Sequence, residues 1–224
     1  MKNKLVALLI LLLSLSLGFP INAAQNNDPQ ETNGTAQDKQ SNEAKLRADR
    51  VQYNKKENIR IASGNVRLDY KDNNVTSNHL KMYNKKNILI FTEDVKLKRP
   101  QETITSDKIQ LNLDQDQLVA EKNVVLDTSK NDKKLHLTSE YLKLWLDNDE
   151  MLARKNVHMD YDGQEIRGEA LEYNAADEEM IITNQAEIKE DEEWIQSDRI
   201  VVNLETGSID AKGQVKMQFE VKEE

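Results

Sequence analysis

The chain repeats itself, and the period limits what it can fold into. One unit runs from Ile104 to Leu126 and carries an apolar residue (Ile104), a small residue with an acid (Ser106-Asp107), an apolar residue (Ile109) and an amide with valine (Asn123-Val124). Stepping back 29 residues gives Val75, Ser77-Asn78, Leu80 and Asp94-Val95. A further 29 gives Leu46, Ala48-Asp49, Val51 and Asn65-Val66. Forward, the step is 33 once, to Leu137, Ser139-Glu140, Leu142 and Asn156-Val157. It then returns to 29 twice, to Ile166, Gly168-Glu169, Leu171 and Gln185-Ala186, and to Ile195, Ser197-Asp198, Ile200 and Gln214-Val215. A period held this closely marks a repeat architecture.

Spacing inside the unit selects β-structure. Apolar residues recur two apart at Ile109 and Leu111, Leu118 and Ala120, and Val124 and Leu126, which is the period of a strand. Turn-forming runs separate them, such as Asn54 to Asn58, Asp114 to Gln117, Asp147 to Glu150 and Glu205 to Ser208. Across the small-acid pair the alternation slips by one, so a bulge or bend is expected there. This predicts about three short strands per unit. One unit's six inward apolar side chains cannot offset the cost of ordering 29 backbones, so the copies must stack and share one interior. Gly64 and Gly213 precede the amide pair, but Glu93, Lys122, Lys155 and Asn184 hold the equivalent sites. Glycine therefore reads as permitted there, not required.

The inward columns are aliphatic. One holds Val51, Leu80, Ile109, Leu142, Leu171 and Ile200; another holds Leu68, Leu97, Leu126, Met159, Ile188 and Met217. Met82, Leu111 and Leu144 extend the same lining, and the methionines make it deformable. Such an interior can be filled by its own side chains, as in a dry β-solenoid scaffold, or can part to admit a hydrocarbon. The last segment, Val215 to Val221, reads as an uncapped strand whose Val215, Met217, Phe219 and Val221 offer an edge for end-to-end pairing, with Lys216, Glu220 and Lys222 opposing it.

Ahead of the repeats, residues 1–24 read as a cleaved secretory signal: Lys2 and Lys4, the apolar run Leu5 to Leu17, and Ala23-Ala24 for cleavage. That run falls short of the roughly 20 residues that a membrane span needs. Residues 25–44 are almost devoid of apolar side chains and read as a disordered tether. The repeats, 45–224, read as one domain; residues 129–134 carry the four-residue insertion as a longer loop, and Pro100 falls between two copies. Losing Lys2 and Lys4 takes the formal charge from −9 to −11, which excludes nucleic-acid binding through a general basic field. With no cysteine, thiol and disulfide chemistry are excluded.

Chemistry-bearing motifs are missing. There is no phosphate-binding glycine loop, no HExxH and no nucleophile elbow, so no catalytic residue and no cofactor is assigned. His79, His136 and His158 fall in mostly polar columns and read as exposed and unrelated, so no metal is assigned either. Trp145 falls in an outward column, as a contact site or as the cover of an apolar patch.

The corner pairs Ala48-Asp49, Ser106-Asp107 and Ser139-Glu140, with Gly64-Asn65-Val66, Lys122-Asn123-Val124 and Gly213-Gln214-Val215, behind a leader, resemble the OstA-like repeat of the LptA family of periplasmic lipopolysaccharide-transport proteins. The resemblance covers residues 45 to about 221. It implies an all-β, open-ended, twisted jelly-roll in the periplasm, whose interior residues named above bind lipopolysaccharide acyl chains. It further implies a non-enzymatic bridge between an inner-membrane export complex and an outer-membrane barrel assembly protein, with end-to-end homo-oligomers. The length of the repeat region and the tether leave open a membrane-anchored member of the LptC kind.

Overall fold

The computed structural model describes residues 44–130, 133–161 and 163–221. The expected leader and nearly all of the expected tether lie outside them. The strands are β1 (Lys45–Arg47), β2 (Arg50–Asn54), β3 (Ile59–Tyr70), β4 (Asn73–Tyr83), β5 (Ile88–Arg99), β6 (Glu102–Asn112) and β7 (Gln117–Lys130). They continue with β8 (Lys133–Trp145), β9 (Glu150–Tyr161), β10 (Gln164–Asn174), β11 (Glu179–Glu190), β12 (Glu193–Asn203), β13 (Ile209–Lys212) and β14 (Lys216–Gln218). All pair antiparallel, and from β3 to β13 each pairs with its neighbours in sequence in one meander. β2 joins β1 on β3, and β14 joins β13 on β12, so each of these pairs is one bent strand broken at its corner.

The all-β jelly-roll expectation holds, but the strands are fewer and longer than expected. Each unit supplies two strands, such as β6 and β7, rather than three short ones. The corner bends a strand without ending it, so two of the expected segments are arms of the same strand. The register shows how. Glu93 and Asp94 of β5 stand opposite the single Asp107 of β6, because Thr92 pairs with Lys108 and Val95 with Ser106. On the other side, Lys122 to Val124 of β7 face Ser106 and Asp107. The slip expected at the small-acid pair is present, and the surplus residue lies on the facing strand at the amide pair.

That surplus is accommodated by left-handed backbone. Asn65, Asp94, Asn123, Asn156 and Gln185 have φ between 45° and 58°, and the preceding Gly64, Glu93, Lys122, Lys155 and Asn184 have φ between 60° and 74°. The reading of glycine as permitted and not required before the amide agrees with this: the geometry asks for a left-handed residue in each of these five copies, and four meet it without glycine. At Gly64 an added Cβ would lie 2.3 Å from Asp49 Oδ2.

The two arms face each other. Inward rows run across the sheet, for example Ile109, Ala120, Leu142, Ala153, Leu171 and Ile182 on one arm, and Ile104, Leu126, Leu137, Met159, Ile166 and Ile188 on the other. All of these are buried in one cluster with the remaining core. No second layer exists among the described residues, so the inner faces of the arms cover each other.

Turns along the outer edge of the first arm are stitched together. Leu113 N–H donates to Asn87 C=O (3.0 Å), Leu146 to Asp116 (2.8 Å) and Leu204 to Glu178 (2.7 Å). Each acceptor residue has positive φ, and the leucines fold back to cover the end of the apolar interior.

Candidate functional site

The corner is the recurring built feature. Its small residue is buried against the neighbouring valine, as Ser77 against Val66 and Ser106 against Val95. The serine hydroxyl donates to the carbonyl two residues on: Ser77 to His79 (2.9 Å), Ser106 to Lys108 (2.9 Å), Ser139 to Tyr141 (3.1 Å) and Ser197 to Arg199 (2.8 Å). This satisfies a hydroxyl that burial would otherwise penalise. The acid accepts from the amide across the bend: Asn65 Nδ2 donates to Asp49 Oδ2 (2.9 Å), and Asn123 Nδ2 to Asp107 Oδ1 (3.2 Å). In the second copy the two exchange places, and Asn78 Nδ2 donates to Asp94 Oδ2 (3.2 Å). The corner orders the lining; its polar groups satisfy one another.

The apolar interior is the candidate site. Leu68, Leu80, Leu97, Ile109, Leu111, Leu126, Leu142, Leu144, Met159, Leu171, Ile188 and Ile200 are all buried and belong to one cluster. Met82 is half-buried against it. Two expected lining residues are placed differently. Val51 is 52% exposed and Met217 57% exposed, because β2 and β14 are the outermost strands and have a neighbour on one side only. Tyr53 shares the exposed N-terminal edge with Val51. At the other end the expected strand from Val215 to Val221 is shorter: only Lys216–Gln218 pairs, and Val215, Met217, Phe219 and Val221 are exposed around it.

Where the second arm ends, the inward row turns polar. Arg99 pairs with Glu102 across the β5–β6 turn, Thr128 with Leu135 in the next hairpin, and Tyr161 with Gln164 in the one after. Arg99 Nη1 lies 3.3 Å from Glu102 Oε1, with the side chains 9% and 14% exposed. Burial pushes the Glu102 carboxyl up, against the pull of Arg99, and pushes Arg99 down. Gln164 Nε2 donates to Glu190 Oε2 (2.9 Å). On the first arm, burial with Asp149 and Glu178 nearby pushes the Tyr173 phenol up to about 12.

The histidines are partly exposed and dispersed, and each faces an acid: His79 faces Glu93, His136 faces Asp127 and His158 faces Glu165. Sequence reasoning missed one grouping. His158, Asp160 and Glu165 bring ligand atoms within 4.8 Å of one another. The strand pairing of Asp160 with Glu165 and of His158 with Arg167 creates it, but the Arg167 guanidinium also holds Glu165. Trp145 points outward, half-buried, with Lys143 Nζ 4.2 Å from its ring centroid.

A meander of bent strands around one apolar interior, with polar outer corners and apolar residues exposed at both open ends, defines an open-ended β-jelly-roll. The chain belongs to the LptA/(LptD N-terminal domain) LPS transport protein family, which matches residues 74–208. The lipopolysaccharide-assembly, LptC-related family matches residues 6–132. Among solved structures the chain is similar to LptH, the LptA homologous periplasmic component of the lipopolysaccharide transport device of Pseudomonas aeruginosa. That likeness has 11% identity, 66% of this chain and 95% of that chain covered, and a TM-score of 0.32. No curated protein matches the sequence.

Proposed function

We propose that the protein is a non-catalytic periplasmic carrier of lipopolysaccharide. Its arms part to take acyl chains between them and so shield the chains on the way from inner to outer membrane. The observation that carries this reading is the uninterrupted apolar lining, from half-buried Met82 through Leu111, Leu144 and Met159, ending in exposed Val51 on one side and Met217 on the other. Each methylene moved from water into such a lining gains roughly 0.8 kcal/mol, so a chain of about a dozen carbons gains on the order of 10 kcal/mol. That gain works against the cost of separating inner faces that otherwise cover each other. The chain is exported by residues 1–24, and its partners are an inner-membrane export complex, an outer-membrane barrel assembly protein and further copies of itself. Photo-crosslinking probes at Met82, Leu111 and Met159 should capture lipopolysaccharide during export. Capture of no amphiphile, with protein purified without detergent free of lipid, would favour a dry scaffold instead.

A second reading has its own support. The LptC-related match begins at residue 6 and so includes all but the first residue of the apolar run from Leu5 to Leu17. A retained N-terminus would make the protein a membrane-tethered member of the same pathway. Intact-mass measurement of the exported protein separates the two: loss of about the first 24 residues supports the bridge, retention the tethered form.

A further inference from the structure

We propose that Arg99 is an oxyanion-binding residue, taking the phosphate or carboxylate headgroup of an amphiphile whose hydrocarbon enters the interior beside it. The inference rests on the carrier reading and adds the chemistry of the group that is held.

Four observations converge on Arg99. It occupies an inward row, in register through Glu102 and Thr128 with buried Leu135, so it stands where the apolar lining meets the edge of the second arm. Its side chain is 9% exposed, yet Nε and Nη2 have no hydrogen-bond partner among the described residues. Glu102 Oε1, at 3.3 Å from Nη1, compensates charge without accepting a hydrogen bond. A guanidinium is a planar fork built to bind an oxyanion through two nitrogens, and Nε with Nη2 is the unused side of that fork.

The surroundings fit an anion. The cleft beside Arg99, about 330 Å³, is lined by Lys98, Arg99 and Lys134 against Glu102 and Asp127, with His136 on Asp127. The local balance is thus positive in a chain whose formal charge is −9. One wall is the hairpin of β7 and β8, which carries the only step of 33 in the repeat. Ser129 N–H donates to Gln101 C=O (3.0 Å), tying that longer hairpin to the turn that carries Arg99. The cleft thus lies beside the hairpin at which the repeat lengthens.

The test uses the exported protein purified without detergent, with three probes: dodecyl phosphate and dodecyl maltoside below micelle concentration, and inorganic phosphate. Calorimetry gives affinities, and the Arg99 Nε–Hε NMR signal reports the contact. Dodecyl phosphate is expected to bind roughly tenfold or more tighter than the maltoside, as charge-assisted hydrogen bonds require, and to shift the Arg99 signal. R99M should erase the preference while maltoside binding persists, E102Q should widen it, and R99K, which keeps the charge but not the fork, should reduce it even if R99M does not fold. Inorganic phosphate that shifts the same signal with equal affinity would support the oxyanion site and assign it to a free anion rather than a headgroup. Equal binding of both amphiphiles with an unmoved Arg99 signal, or an unchanged preference in R99K and R99M, overturns the inference and leaves the carrier reading standing. Failure of both amphiphiles to bind, with Arg99 unmoved by phosphate, sinks both.

Discussion

At the scale of single residues, the corner explains why the repeat has the signature it has. The residue after the first left-handed position is mostly Asn or Asp because these side chains tolerate positive φ. The valine that follows returns the chain to the inner face, as at Val66, Val95 and Val124. The swap in the second copy makes a clean test. N78D should cost roughly 0.5–1 kcal/mol by setting a carboxylate against Asp94, and N78D/D94N should recover that loss by restoring the acid-amide order of Asp49 and Asn65. Urea unfolding of the three variants measures it; a double variant no more stable than N78D would refute the pairing. Lys122 has φ 64°, a conformation that costs a side-chain-bearing residue about 1–2 kcal/mol, against about 0.5–1 kcal/mol for the entropy of glycine. K122G is therefore expected to stabilise by roughly 0.5–1 kcal/mol, read as a rise in the urea midpoint. The marker residues were legible in the sequence. Their backbone was not, because glycine fills the first left-handed site in a minority of copies and its absence elsewhere hides the shared demand.

At the scale of strands and hairpins, one corner shows side-chain volume matched between neighbours, although Ser77 stands in the same relation to the larger Phe91. Gly168 replaces the serine of other corners because an added Cβ would lie 2.6 Å from Ile182 Cγ2. Where the corner is Ser106 or Ser139, the position matching Ile182 is Ala120 or Ala153. G168S is expected to destabilise by roughly 1–3 kcal/mol. Combined with I182A, its cost should be smaller than the sum of the two single losses by about 1–2 kcal/mol, a coupling that a double-mutant cycle in urea measures. The β5–β6 hairpin gives a pH signature. Glu102 is raised above its ordinary value near 4.5 by burial, so above that pH the unfolded chain releases a proton that the folded chain still holds. Stability is thus lost as pH rises from there through the raised folded value. E102Q removes this loss, and its stability relative to wild type should grow between pH 4 and pH 7. A difference that stays flat over that range would place the titration elsewhere. The sequence showed period-two segments but not that a bend leaves a strand intact, since a break and a bulge interrupt the alternation alike.

At the scale of the whole molecule, the repeat alone made the all-β architecture and its interior readable, because 29-residue copies must cover one another. Inwardness was legible column by column, and it failed for Val51 and Met217, where the column runs out of neighbours. The Arg99 cleft was not legible, since a single Arg in an otherwise regular copy gives no signal until pairing sets it beside the long hairpin. The exposed Met217 and Phe219 at one end, and Val51 and Tyr53 at the other, are expected to draw copies together end to end. M217E/F219E should lower the sedimentation-derived mass of concentrated protein without altering its thermal midpoint. Unchanged association would place the self-contact elsewhere.

Because each strand is bonded to the next along the meander, with β1 and β2 both on β3 and β13 and β14 both on β12, the described residues form no closing seam. It unzips from its extremities inward, one hairpin after another, as nearest-neighbour arrays do. Amide exchange should therefore be slowest across β6 to β9 and quicken stepwise toward Lys45 and Gln218. In the proposed carrier, the loosest hairpins, those least costly to prise apart, are then the ones a fatty cargo would meet first.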